Sequence, residues 1–279
     1  IDEEIRAVIP IEKLRNALKA CSTKDDLTIN VLDDGSVELV TKVASTSFLD
    51  WNASEYPIMP DIGTTESVYI PGLPGTMAKL VPCASSEPDR HILHGVYLDT
   101  ENHKAVATDG RICTVFDAPY LEGVEHSKII PAQMCSLVAS TQLKKHEFHY
   151  SYNDKHVCFE TVGSEYTIIG QPIDGMFPKW DRVMLTDTAE HSFSITEPEK
   201  LMSRLKTLPI KKNELTPVSI TLKNHAVSFE HGGSEVEIAS DCLESDECFK
   251  FDARYLIKLL NAGFIHIDLV ESGMQHLIR

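Results

Sequence analysis

Four stretches of this 279-residue chain carry residues whose types and spacing could do chemistry. Thr108-Asp109-Gly110 closes an alternating apolar stretch with a tight corner and puts a carboxylate on a loop. No His, Ser or metal-ligand partner lies near Asp109 in sequence, so it reads as a turn residue rather than a general base. His146-Glu147-Phe148-His149 has ligand types three apart. On a strand, positions i and i+3 point to opposite faces, so the two histidines cannot share a metal. Cys242 and Cys248 flank five residues of acidic loop and read as unconnected thiols. His231-Gly232-Gly233-Ser234 has the look of a phosphate loop, but no helix follows to aim N–H groups at an anion. It reads as a hairpin turn. These stretches imply no catalytic residue, no cofactor and no metal.

Composition narrows the classes further. Seven cysteines are an odd number, scattered without C-x-x-C spacing, as expected of free thiols in a reducing cytoplasm. No run of about eighteen apolar residues is present to cross a membrane as a helix. No signal peptide precedes the first strand, and the first residue is Ile1 rather than Met, so the native start is expected upstream. A net charge of −16 argues against a nucleic-acid partner unless the charges are segregated.

The elements that position these residues repeat. A β-α-β-β-β pattern recurs five times at roughly sixty-residue spacing. The first copy has Ala7-Val8-Ile9, Pro10 and a helix over 11–21, then strands over 27–31 and 37–43 hinged at Asp33-Asp34-Gly35-Ser36. The second has a strand over 67–70, a helix over 73–84, and strands over 93–100 and 106–111. The third has 128–131, a helix to residue 141, and strands around Phe148, Val157 and 164–169, with a turn at Asn153-Asp154. The fourth opens at Phe193-Ser194-Ile195, where Thr196 and Glu199 have capping-box spacing. The fifth has Phe249-Lys250-Phe251, a helix capped by Asp252 and stopped by Gly263, and a strand over 265–269.

The strands alternate apolar and polar residues, as half-buried antiparallel sheet requires. Each helix carries one apolar stripe, such as Leu14, Leu18 and Cys21 in the first or Leu201, Leu205 and Leu208 in the fourth. One copy has too little core to stand alone, so copies should pair. An aromatic-proline pair closes the first copy (Tyr56-Pro57) and the third (Phe177-Pro178) and appears after no other. That predicts domains over 61–184 and 185–279, with 1–60 the second half of a domain whose first half is absent. Trp51 and Trp180, near the two domain ends, read as packing anchors, Trp180 alternatively as a rim residue.

Charge is distributed by element. The five helical segments (10–24, 71–84, 131–145, 196–212, 252–263) hold fourteen basic and four acidic residues, a net +10, which leaves −26 for the rest. Lysines on one helix usually mean only a solvated face. Repeated on five helices of an acidic chain, they predict a positive stripe that contacts phosphates without reading sequence.

Three stretches resemble the bacterial sliding clamp, the β subunit of replicative DNA polymerase III. They are 90–95 with 106–110, then 173–178 with Arg182-Val183, and 249–256. The likeness extends over essentially the whole chain. It implies an α+β fold of paired β-α-β-β-β half-units, with antiparallel sheets outside and helices lining the channel of a homodimeric ring around double-stranded DNA. It implies a non-catalytic, cytoplasmic processivity factor of bacterial, phage or plasmid origin. Its partners would be the replicative polymerase, a clamp loader and other proteins carrying clamp-binding motifs. Matching positions place a peptide-binding groove at Leu93, Thr108, Gly110, Arg111, Pro178, Arg182 and Val183. The DNA-facing basic residues would be Lys13, Arg15, Lys19, Lys79, Lys144, Lys145, Lys200, Arg204, Lys206, Arg254 and Lys258. Two departures stand out. The family usually has His-Arg-Leu where this chain has Arg111-Ile112-Cys113, and its Met-Pro-Met type C-terminal strand has no counterpart after Leu277-Ile278-Arg279. The alternative is a truncated clamp-like module that binds peptides without encircling DNA.

Overall fold

The computed structural model describes residues 7–19, 21–22, 24–49, 55–63, 67–184, 191–210, 216–242, 244–269 and 276–278. The anchor role expected of Trp51 and the helical placement of Lys211 and Lys212 lie outside the described residues. The chain divides into two compact units, Ile1–Pro60 and Asp61–Arg279.

In the first unit, helix α1 (Ile11–Lys19) precedes strands β1 (Thr28–Val31), β2 (Ser36–Val40) and β3 (Ser45–Leu49), paired antiparallel in that order. The β1–β2 turn forms where Asp34 accepts hydrogen bonds from the Ser36 N–H (2.9 Å) and hydroxyl (2.6 Å). Of the strand expected over 7–9, only Val8 makes an isolated bridge. Val37 and Leu39 are buried, but α1 buries nothing.

The second unit contains four copies of the repeat. They comprise β4 (Val68–Ile70), α2 (Leu73–Leu80), β5 (Gly95–Asp99), β6 (Lys104–Thr108) and β7 (Cys113–Asp117); then β8 (Lys128–Pro131), α3 (Ala132–Val138), β9 (Phe148–Tyr152), β10 (Val157–Thr161) and β11 (Thr167–Gly170). Next come β12 (His191–Ser194), α4 (Pro198–Leu205), β13 (Pro217–Lys223), β14 (Ala226–His231) and β15 (Ser234–Ala239); last are β16 (Cys248–Asp252), α5 (Ala253–Asn261), β17 (His266–Leu269) and β18 (His276–Ile278).

Sheet order explains why these copies pair. Each gives its first strand to its neighbour's sheet, producing the orders β11-β10-β9-β4, β7-β6-β5-β8, β15-β14-β13-β16 and β12-β17-β18. The exchanged strands place apolar residues opposite each other, Ile70 with Phe148, Val96 with Ile130, Ile220 with Phe249 and Phe193 with Ile267. Between the sheets α2 packs on α3 and α4 on α5. Two cores result. Leu73, Met77, Leu80, Phe148 and Phe159 anchor one, and Phe193, Leu201, Leu205, Phe229 and Leu256 the other. Leu259 of α5 is buried in the first core, so the two are joined by apolar contact.

The strand expected over 106–111 ends at Thr108, and β3, β7 and β18 form where no strand is expected from the sequence. The helices follow the sequence with three exceptions. α2 forms despite Gly72, Pro74 and Gly75 because Pro74 falls in the first turn and Leu73, Met77 and Leu80 are fully buried. The helix continues as a 3₁₀ turn, Val81–Cys83. The first exception is α3, which stops at Val138 rather than reaching 141, so Lys144 and Lys145 sit beyond it on turns. The second is the capping box. Pro198 takes the first helical position, which makes Glu197 the N-cap and shifts Thr196 and Glu199 out of register; no side chain caps α4. The third is α1, which ends at Lys19. By contrast Asp252 caps α5 by accepting the Arg254 N–H, and Gly263 follows it at φ 86°. His231 pairs with Ser234 across a Gly232-Gly233 turn with both φ values positive.

Candidate functional site

The Thr108-Asp109-Gly110-Arg111 corner is built by its own side chains. Thr108 Oγ1 donates to the Ile112 carbonyl at 2.6 Å and accepts the Gly110 N–H at 3.0 Å. Asp109 Oδ1 accepts the N–H groups of Arg111 (3.0 Å) and Ile112 (3.1 Å). Its other carboxylate oxygen accepts from Lys258 Nζ at 3.1 Å, and its backbone carbonyl accepts from Arg90 Nη1 at 2.6 Å. Gly110 has φ 83°, and a Cβ there would collide with the Arg90 guanidinium. The Asp109 carboxylate therefore holds a turn and a joint.

On one side of the corner, Leu93 and Cys113 pack against the outer face of the β5–β8 sheet, around Val106, Ile129 and Phe177. The segment 173–180 crosses this face. The Ile173 N–H donates to Ile129 O at 2.8 Å, and Phe177 stacks on Tyr97 with centroids 4.7 Å apart. Gly175 lies so close to Ile92 that a Cβ would be 3.1 Å from its terminal methyl. The Trp180 indole N–H donates to Asp99 Oδ2 at 2.8 Å, an anchor as the sequence implies. Burial acts to raise the Asp99 carboxyl, but hydrogen bonds from Asn102, Trp180 and backbone N–H groups outweigh it and lower its pKa. Burial pushes the Cys113 thiol up to about 11. Pro178 and Arg182 are exposed, and Val183 ends the 3₁₀ turn Trp180–Val183. Leu93 and Phe177 share one apolar cluster, and Leu93 approaches Gly110 of the corner.

Arg111 goes elsewhere. Its Nη1 donates to Glu87 at 2.8 Å and to the Tyr255 hydroxyl of α5 at 3.5 Å. These bonds, Glu87 first, raise the guanidinium pKa still further. It thereby lines a cleft of about 790 Å³ between residues 84–87, the corner, the end of α4 and α5. Lys206, Arg254 and Lys258 line the same cleft. Arg254 and Lys258 lie 5.8 and 5.7 Å from the Tyr255 ring centroid. Sequence reasoning missed this cleft and the roles of Glu87 and Tyr255. The residues it joins are 144 and 149 positions apart, and no local pattern signals such a meeting.

The expected DNA-facing residues divide by pairing. Lys200 bonds Glu197 at 2.7 Å, Arg254 bonds Asp252 at 2.6 Å, Lys258 bonds Asp109, and Arg204 donates to the Glu237 carbonyl. Lys79 lies over the Phe116 ring. Arg15 pairs with Glu12 at 2.5 Å within α1. Lys13, Lys19, Lys144, Lys145 and Lys206 are exposed and form no ion pair with a described residue. Among the described residues all seven cysteines are free, and no group of His, Cys, Asp and Glu could hold a metal. No helix among the described residues is long and apolar enough to cross a membrane.

No protein-family model and no curated protein sequence matches the chain. Solved structures do. The sliding clamp (DNA polymerase III subunit beta) of Bartonella birtlesii, bound to griselimycin, superposes with TM-score 0.77 at 17% identity, covering 99% of this chain and 79% of that one. The sliding clamp of Pseudomonas aeruginosa gives 0.76 at 18% identity, over 97% and 77%. That of Bacillus subtilis gives 0.72 at 17%, over 91% and 70%. Strand-exchanged β-α-β-β-β repeats and this breadth of superposition agree: the chain has the fold of the bacterial DNA polymerase III β sliding clamp.

Proposed function

We propose that this protein is a sliding clamp, a non-catalytic processivity factor that encircles duplex DNA and tethers polymerase to it. The observation that carries the reading is the paired repeat itself, matched to clamps across nearly the whole chain, with its basic residues concentrated on and beside the helices. In this reading 61–184 and 185–279 are two clamp domains and 1–60 is half of another, in a homodimeric ring. Phosphate contacts that are numerous, weak and indifferent to sequence let such a ring slide. Leu93, Thr108 and Gly110, with Pro178, Arg182 and Val183, form the groove where polymerase, clamp loader and other replication proteins dock by short peptides. Arg111 borders that groove through its backbone and sends its side chain to the cleft.

The test is binding to two duplexes of equal length and unrelated sequence, together with light scattering of the free protein. Equal affinities that fall steeply with salt, and a dimer, support the clamp. A strong sequence preference would sink it.

A second reading is a clamp-like module that binds peptides without encircling DNA. It is favoured by the bare α1 face and by the engagement of Arg204, Arg254 and Lys258 in internal bonds. A monomer that binds peptide but not duplex would select it.

A further inference from the structure

We propose that Lys258 is a positioning residue of the docking groove: from α5, on another repeat, it holds the Asp109 carboxylate and so fixes the Thr108–Arg111 corner beside Leu93. The inference rests on the groove of the clamp reading and adds to it a residue that acts without touching the docked peptide. The corner is a rigid unit, because Thr108 Oγ1 and Asp109 Oδ1 take up its own N–H groups. Its place is therefore set by its attachments. From the groove side, Arg90 Nη1 donates to the Asp109 carbonyl at 2.6 Å. From α5, Lys258 Nζ donates to Asp109 Oδ2 at 3.1 Å, across 149 positions of sequence.

Lys258 stands on a fixed base. α5 is capped by Asp252 and buries Leu256, Leu259 and Leu260. Lys258 Nζ also lies 5.7 Å from the Tyr255 ring centroid, a contact that favours one direction for its stem. Its side chain is 37% exposed and that of Asp109 10%, against 47% and 41% for Arg111 and Glu87. The Asp109 pair is shielded from water, whereas the Arg111 pair exchanges partners at little cost. Without Lys258, Asp109 Oδ2 is left almost buried and without its cation. Arg90, already bonded to the carbonyl of the same residue, then turns toward that oxygen. Arg90 packs under Gly110, where a Cβ would collide with its guanidinium, and Leu93 Cδ1 is 3.9 Å from the same point. A displaced Arg90 removes the surface beneath Gly110 and frees the corner to shift against Leu93. Glu87 holds Arg90 Nε at 3.0 Å, which keeps the guanidinium in place as long as Lys258 satisfies the carboxylate.

The probes are heptapeptides selected from a random library on the full chain, keeping those whose binding Leu93→Asp abolishes. Anisotropy of the labelled peptides gives the affinity. Lys258→Met should weaken it at least about fivefold, and Lys258→Arg, which keeps the charge, should restore it. Asp109→Asn should match Lys258→Met, and the double variant should be no weaker than either, since both remove one contact. Val227→Ala truncates a buried residue of the second core and should leave peptide affinity unchanged, although it too destabilises the fold. Thermal unfolding checks that each variant is folded at the temperature used. Unchanged affinity in Lys258→Met overturns the proposal and leaves the groove standing. Failure of Lys258→Arg to restore affinity, or an equal loss in Val227→Ala, does the same. If no selected peptide depends on Leu93, the groove reading itself fails and the proposal with it.

Discussion

Helices α1 and α5 are each nine residues long, both amphipathic, and both occupy the same place in the repeat. α5 buries Ala253, Leu256, Leu259 and Leu260, whereas α1 buries none and leaves Ile11 68% and Leu18 50% exposed. The difference lies in what surrounds them. α5 packs on α4, and its preceding strand β16 completes the sheet of β13. Within its own unit α1 has no second helix among the described residues, and its sheet has three strands. An apolar stripe thus marks where a helix can be covered. The neighbouring repeat supplies the cover.

The largest effect that tests this contrast is core truncation. Leu256→Ala should cost about 2–5 kcal/mol, while Leu18→Ala, at the corresponding face of α1, should cost under about 0.5 kcal/mol. Urea unfolding read by amide exchange in each unit compares them. A large cost at Leu18 would mean that the α1 face is covered in solution.

Trp180→Phe removes an N–H that reaches the nearly buried Asp99 carboxylate, at a cost of about 1.5–3 kcal/mol near neutral pH. Because the folded-state pKa of Asp99 lies below its unfolded value, this contribution is present above the unfolded pKa and is lost as pH falls through the folded one. Wild type and variant should therefore keep their difference down to about pH 4 and converge only below the lowered folded-state pKa of Asp99. A difference that persists unchanged at low pH would show that the indole acts through packing alone.

Two glycines extend the comparison. Gly35 and Gly110 both have positive φ (76° and 83°), but a Cβ at Gly35 meets open space while one at Gly110 meets Arg90. Gly35→Ala should cost about 1–2 kcal/mol from backbone strain alone. Gly110→Ala should cost more and also free Arg90 from the Asp109 carbonyl, visible as faster amide exchange at 108–112. Equal costs would mean Arg90 does not hold the corner.

The smallest effect concerns ion pairs. Lys258→Met should destabilise by about 1 kcal/mol because it leaves Asp109 almost buried, whereas Arg15→Met should change stability by less than about 0.5 kcal/mol. Double-mutant cycles with Asp109→Asn and Glu12→Gln isolate each pair. A coupling in α1 as large as that at the joint would contradict the difference in burial.

The repeat, the turns and the capped end of α5 were legible in sequence because each rests on short-range chemistry, such as Asp252 beside Arg254 or Gly232-Gly233 in a hairpin. The fate of Asp109 as a turn residue was legible for the same reason. Its bond to Lys258 was not, since nothing local signals a partner on another repeat. The capping box failed because Pro198 sets the helix start one residue later than Thr196-x-x-Glu199 implies. Arg111 was matched to the groove by position in the motif, but backbone position does not fix where a long side chain goes. Glu87 and Tyr255 decide that.

The central claim, topological binding to DNA, is tested most directly with a plasmid. Protein retained on a closed circle through a salt wash should be released when a nuclease linearises it. Equal retention on circle and linear form, or none on either, would contradict the account.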